Sequence, residues 1–133
     1  MVKNIKTPNN LISYNSKNLK GNICPPPDKS ISHRALLISS LAIGISKIQN
    51  LLESDDILNT VKALRSLGVK IEKNIDGYWI INGVGLNGYA EPKGLLDCGN
   101  SGTLARILIG AVSAHNIVAS FCGDESLSKR PMD

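Results

Sequence analysis

Three times along this chain, apolar residues at helical spacing run into a tight turn and then into a short β-branched stretch. The junctions are Leu41-Ala42-Ile43-Gly44-Ile45, Leu67-Gly68-Val69-Lys70-Ile71 and Val112-Ser113-Ala114-His115-Asn116-Ile117. Helices that hand over to strands through such short connections must bury their apolar stripes against the sheets they feed, so the chain reads as α/β (α+β). The unequal spacing makes this a loose repetition of supersecondary units, not a solenoid. With 133 residues, one folding unit or part of one is the ceiling. Hydrophobic residues at 42% and charged residues at 20% are enough to build a core.

Residues 1–20 hold Pro8, Asn9, Asn10 and Asn15 without sustained periodicity and read as an irregular lead-in. Asn22 to Cys24 is expected to be a short strand ended by Pro25, Pro26 and Pro27. A buried helix is expected over Ser32 to Ile43 with Gly44 as its stop, then a strand from Ser46 to Leu51. Asp55 or Asp56 is expected to cap a second helix from Ile57 to Leu67. Val69 to Lys73 and Tyr78 to Asn82, bracketing Asn74 to Gly77, predict a hairpin. After the loop marked by Gly83, Gly85, Gly88 and Pro92 come a short apolar run, Leu95 to Cys98, a third helix from Gly102 or Thr103 through Ser113, and a strand from Ile117 to Phe121.

The formal charge of +4 points to anionic partners, but the basic residues are scattered and aromatics are only 4%, so the stacking platforms of a nucleic-acid reader are missing. Small anions fit better. Cys24, Cys98 and Cys122 form no metal-type spacing with His33 or His115, which favours a reducing, cytoplasmic setting and no metal or organic cofactor. The first 20 residues lack the continuous apolar region of a secretory signal. The longest apolar stretch, Ile107 to Ala114, is too short to span a bilayer, so no membrane partner is expected.

Three clusters could carry chemistry. In Asp28-Lys29-Ser30-Ile31-Ser32-His33-Arg34, a helix N-terminus is joined by a lysine, a hydroxyl and an arginine four residues after Ser30. Unpaired N–H groups, the dipole end and a guanidinium all favour an oxyanion there. The competing reading is a plain Asp or Ser cap with solvated charges. Asp97-Cys98-Gly99-Asn100-Ser101-Gly102-Thr103-Leu104-Ala105-Arg106 is a glycine-bearing loop leading into a helix, with Asn100, Ser101 and Thr103 as neutral donors. It lacks the Gly-Lys-Ser/Thr ending of a P-loop, and an ordinary capped turn would look the same. In Gly123-Asp124-Glu125-Ser126-Leu127-Ser128-Lys129-Arg130-Pro131, the proline biases Arg130 toward extended backbone, presenting it from a strand end. Glu53, Asp55 and Asp56 read mainly as structural, His33 as a packing or surface residue, and His115 as a turn residue.

These segments, together with Leu51-Leu52-Glu53-Ser54-Asp55-Asp56, resemble the EPSP synthase family in order and approximate spacing over residues 21–132. The resemblance implies a partial inside-out α/β domain built of βαβαββ units, with 21–133 as an incomplete N-terminal domain. It implies transfer of the carboxyvinyl group of phosphoenolpyruvate to 3-phosphoshikimate in the shikimate pathway, without a cofactor. By motif position Lys29 resembles the lysine at the junction of both substrates, and Ser30 and Arg34 resemble contacts to 3-phosphoshikimate. Asn100, Gly102 and Arg130 resemble the phosphoenolpyruvate side, where glyphosate also competes at Gly102, with Thr103 and Arg106 in support. Pro26 stands where a glycine is usual, Leu104-Ala105 replaces a Thr-Met or Ala-Met pair, and Asp133 takes the place of a glycine. Family members are much longer, so this chain alone is expected to be inactive, and to be completed by a C-terminal polypeptide or to be part of a longer enzyme. Other readings are a noncatalytic remnant or interaction module of the same fold, and a fragment of the sister enzyme acting on UDP-N-acetylglucosamine. Asp28-Lys29-Ser30 in place of an Ala-Lys-Asn segment disfavours the sister enzyme.

Overall fold

A computed structural model of the chain describes residues 14–15 and 17–132. The Pro8-Asn9-Asn10 part of the lead-in and Asp133 lie outside the described residues.

The first helix, α1 (Lys29–Leu41), starts where Asp28 leaves the helical region at φ −100° and ψ 139°. The Asp28 carboxylate accepts from the Ile31 N–H at 2.8 Å, satisfying one of the first-turn donors. The helix ends before the expected Gly44 stop. The Ala42 N–H still donates to Ile38 O at 3.1 Å, but the Ala42 carbonyl accepts from the Gly85 N–H at 3.0 Å, which draws the chain straight into strand β1 (Ile43–Ile48). Gly83 permits this approach, because a side chain there would run into the carbonyls of Ser39 and Ala42. The strand expected at Ser46 to Leu51 is therefore displaced toward the N-terminus.

The second helix, α2 (Asp55–Ser66), has Ser54 as its N-cap, with no side-chain capping bond. Asp55 and Asp56 sit in its first turn, where their charge favours the positive end of the helix dipole, so neither is the cap. Ile57, Val61 and Leu64 fall on one face and are buried to within 2% exposure, as the spacing requires. Strands β2 (Lys70–Lys73) and β3 (Trp79–Val84) form the expected hairpin, closed by Asn74, whose Oδ1 accepts from the Tyr78 N–H at 2.8 Å. The sheet order is β1-β3-β2, antiparallel throughout, with Ile43 opposite Val84 and Lys73 opposite Trp79.

Strand β4 (Leu96–Asp97) pairs in parallel with β5 (Phe121–Cys122), and between them runs α3 (Gly102–Val112). The strand expected over Ile117 to Phe121 shrinks to its last residue plus Cys122, because β4 offers only two residues to pair. Val118 instead donates its N–H to the Glu91 carboxylate at 3.2 Å. A four-residue helix, α4 (Glu125–Ser128), follows. Asn22 to Cys24 is not a strand, since this stretch has no ladder partner among the described residues.

Leu36, Ile57, Leu64, Leu67, Ile71, Ile81, Leu96, Leu104 and Leu108 make one continuous core between α1, α2, α3 and the sheets. Leu104 and Ala105, unusual in the motif comparison, both pack into it. The expectation of a fully buried α1 does not hold. Ser32, His33, Leu36 and Ser40 face the core, while Ile31 and Ile38 on the opposite face are 69% and 67% exposed, with no described neighbour over them. Among the described residues no helix is long and apolar enough to cross a membrane.

Candidate anion-binding site

Two clusters hold the predicted site residues. The first stands where α1 and α2 begin. Lys29 is the first residue of α1, and its ammonium pairs with the Asp56 carboxylate in the first turn of α2. Arg34 curls back so that Nη1 donates to the Ser30 carbonyl at 3.1 Å, placing its guanidinium beside Ser30 as their four-residue spacing implies. Lys29, Ser30 and Arg34 are all exposed. Ser32 anchors this end from beneath, donating its hydroxyl to Asp28 O at 2.7 Å and accepting from the Leu52 N–H at 3.1 Å. The N-terminus of α1 is thereby tied to the strand-to-helix turn ahead of α2.

The second cluster surrounds the Gly99–Thr103 loop. Gly99 adopts φ +54°, and any side chain there would collide with the Asn59 amide on α2, so the turn requires glycine. Ser101 caps α3 by accepting from the Leu104 N–H at 3.1 Å. Asn100 Oδ1 accepts from Arg130 Nη2 at 2.8 Å, while the Asn100 amide donates to Asp124 at 2.5 Å. Asp124 also caps α4 through the Leu127 N–H at 2.7 Å. These donors, the Asn100 amide first, hold the Asp124 carboxyl below its ordinary range. A Cβ on Gly102 would stand 2.9 Å from Arg130 Nη1, so the glycine leaves room for the guanidinium. Arg106 donates to the Pro131 carbonyl at 2.6 Å, fastening the end of the chain to α3. Thr103 lies in the first turn of α3, half-buried.

Arg130 is brought to Asn100 and Gly102, but not from a strand end. Its N–H donates to Leu127 O at 3.0 Å, so it leaves the last turn of α4. Asp124 caps that helical turn six residues before Arg130, the residue whose backbone Pro131 restricts. Beyond Arg130 a cavity of about 160 Å³ is walled mainly by apolar groups, among them Ala105, Ile109, Phe121 and Leu127, and offers an anion little.

His33, read from the sequence as a packing or surface residue, is a packing residue that joins the two clusters. Its ring is fully buried, with Nδ1 2.7 Å from Thr60 Oγ1 and Nε2 3.3 Å from Ser101 Oγ. Burial, above all, lowers its pKa; Lys29 and Arg34 push the same way and Asp56 opposes them. Its position three residues before Leu36 already placed it on the apolar face of α1. Asp56 and Asp124 were also passed over as site members, and each is bound to a predicted site residue by a contact no local spacing encodes. His115 lies in the turn after α3, its N–H donating to Val112 O at 2.9 Å, and Tyr89 stacks on its ring with centroids 4.4 Å apart, so the turn residue also packs.

The model of the EPSP synthase (3-phosphoshikimate 1-carboxyvinyltransferase) family matches residues 13–133. Among curated relatives, the 3-phosphoshikimate 1-carboxyvinyltransferase of Sphingopyxis alaskensis is 54% identical over 114 residues, covering 86% of this chain and 26% of the relative. That of Zymomonas mobilis is 51% identical over 122 residues, covering 92% and 27%. A solved EPSP synthase from Acinetobacter baumannii superimposes with a TM-score of 0.77 at 43% identity, over 84% of this chain and 26% of that one. The chain thus spans about a quarter of the length of the relatives it matches. Since the family match takes in every element of the fold and both clusters, the chain belongs to the EPSP synthase family.

Proposed function

We propose that this chain supplies the 3-phosphoshikimate-binding face and part of the phosphoenolpyruvate-binding face of a 3-phosphoshikimate 1-carboxyvinyltransferase. The observation that carries the reading is the pairing of two cationic clusters, Lys29–Ser30–Arg34 and Asn100–Gly102–Arg130, held in one fold. Each substrate bears a phosphate and a carboxylate. Fixed cations offset the repulsion between two such anions and orient the 5-hydroxyl of one against the enol carbon of the other. Lys29 and Arg34 take the phosphoshikimate anion, and Lys29 also reaches the forming tetrahedral centre. Arg130, steadied by Asn100, takes the phosphoenolpyruvate anion, and Thr103 and Arg106 support that loop. Because Lys29 is already paired with Asp56, an incoming anion must displace or share it, which exchanges one ion pair for another. The proton-transfer carboxylates belong to the further length that the relatives possess, whether in the same polypeptide or a complementing C-terminal one. A cytoplasmic setting fits three cysteines that are all free thiols.

Amide shift mapping by NMR tests the assignment. Addition of 3-phosphoshikimate is expected to move the Lys29 to Arg34 resonances saturably, and Arg34→Ala to weaken that response about tenfold or more. A saturable response to UDP-N-acetylglucosamine instead would transfer the chain to the sister activity. No response to either by the folded chain would favour a noncatalytic module.

A further inference from the structure

Two tautomers of the His33 ring are open, and one of them gives every donor around it an acceptor. The Thr60 hydroxyl has one proton and two acceptors in reach, the Asp56 carbonyl at 3.1 Å and His33 Nδ1 at 2.7 Å; with the proton on the carbonyl, Oγ1 accepts from a ring proton on Nδ1. Nε2 is then a bare acceptor and receives the Ser101 hydroxyl proton, while Ser101 Oγ accepts from the Leu104 N–H. Every polar atom in this buried chain is satisfied in that one arrangement, and its members come from α2, α1 and the cap of α3. Ser101 lies between Asn100 and Gly102. We infer that neutral His33, as its Nδ1–H tautomer, is a positioning residue that tethers the Asn100–Gly102 loop to the helix carrying Lys29, Ser30 and Arg34, so that the two anion clusters keep one relative geometry. The inference rests on the reading of those clusters as the two halves of one site.

Protonation of His33 would turn the Ser101 contact round, with Nε2–H donating to Ser101 Oγ and the serine hydroxyl proton left without its acceptor, so the neutral form is the better satisfied one. The substitutions separate its two ends. Gln at this position presents an amide oxygen near the place of Nε2 and keeps the link to Ser101. Asn reaches only as far as Thr60.

The test uses the full 133-residue chain. Long-range proton–nitrogen correlation spectra of the unsubstituted chain should show His33 protonated at Nδ1, and a proton on Nε2 would overturn the inference whatever the variants do. Amide exchange then reads the tether without any ligand. In His33→Asn the Leu104 amide is expected to exchange about tenfold faster while the β2–β3 hairpin amides keep their protection, and His33→Gln should return Leu104 to within about twofold of the original. Equal acceleration in both variants, or parallel loss across the hairpin, would mean that His33 only fills space. The functional reading fails separately, through absence of 3-phosphoshikimate binding, which does not affect the exchange pattern.

Discussion

Gly102 and Arg130 illustrate how one missing methyl group sets the geometry of a site. An added Cβ would stand 2.9 Å from Arg130 Nη1, nearer than side chains tolerate, and the exposed arginine is the group able to yield. Gly102→Ala should therefore shift the guanidinium off Asn100 and move the Asn100 side-chain amide resonance, with folding stability changed by no more than about 0.5 kcal/mol. His33 makes a prediction of opposite kind. Its folded pKa lies below the ordinary 6.5, so the unfolded chain binds more protons between those two values. The stability contributed by its neutral, hydrogen-bonded form is fully present above pH 6.5 and is lost as pH falls toward the folded pKa. Asp56 on α2 moderates the effect, and Lys29 and Arg34 on α1 enhance it. Denaturation midpoints measured against pH should fall on acidification below 6.5 in the original chain and fall less in His33→Gln. The candidate residues were picked out by motif order, and the structure brings Asn100, Gly102 and Arg130 together. The contact of His33 with Ser101 was not legible, because it spans 68 positions that only the tertiary fold closes, whereas Asn100 and Arg130, 30 positions apart, were already grouped by the resemblance.

At the scale of elements, helix periodicity was read well and capping only in part, since Ser54, not Asp55 or Asp56, caps α2. Asp28 caps α1, as the competing reading required. Asp28→Ala should cost about 1 kcal/mol, read as a lower urea midpoint with unchanged slope. The second helix, expected over Ile57 to Leu67, forms over Asp55–Ser66, and Leu64→Ala, at a fully buried site, should cost about 2–5 kcal/mol in the same experiment. What failed were the strands. Their limits depend on partners distant in sequence: β1 begins early because Gly85 draws in the Ala42 carbonyl, and β5 is short because β4 has only two residues to offer. Arg130 was misplaced on a strand end because the preference of the residue before proline was weighed without the Asp124 cap that builds α4.

For the whole molecule, the order of four motifs carried more information than composition or charge. A net charge of +4 pointed to anions in general, whereas the spacing from Asp28 to Arg130 pointed to one family, as the matches confirm. The central claim is that this chain, a quarter of the length of its relatives, already forms a selective anion site on its own fold. Calorimetric titration with 3-phosphoshikimate, run on the original chain and on Lys29→Ala after circular dichroism shows both folded, tests it most directly. The account predicts saturable binding by the original chain, weakened about tenfold or more in the variant. A folded original chain with no saturable heat, or equal affinity in the two proteins, would contradict it.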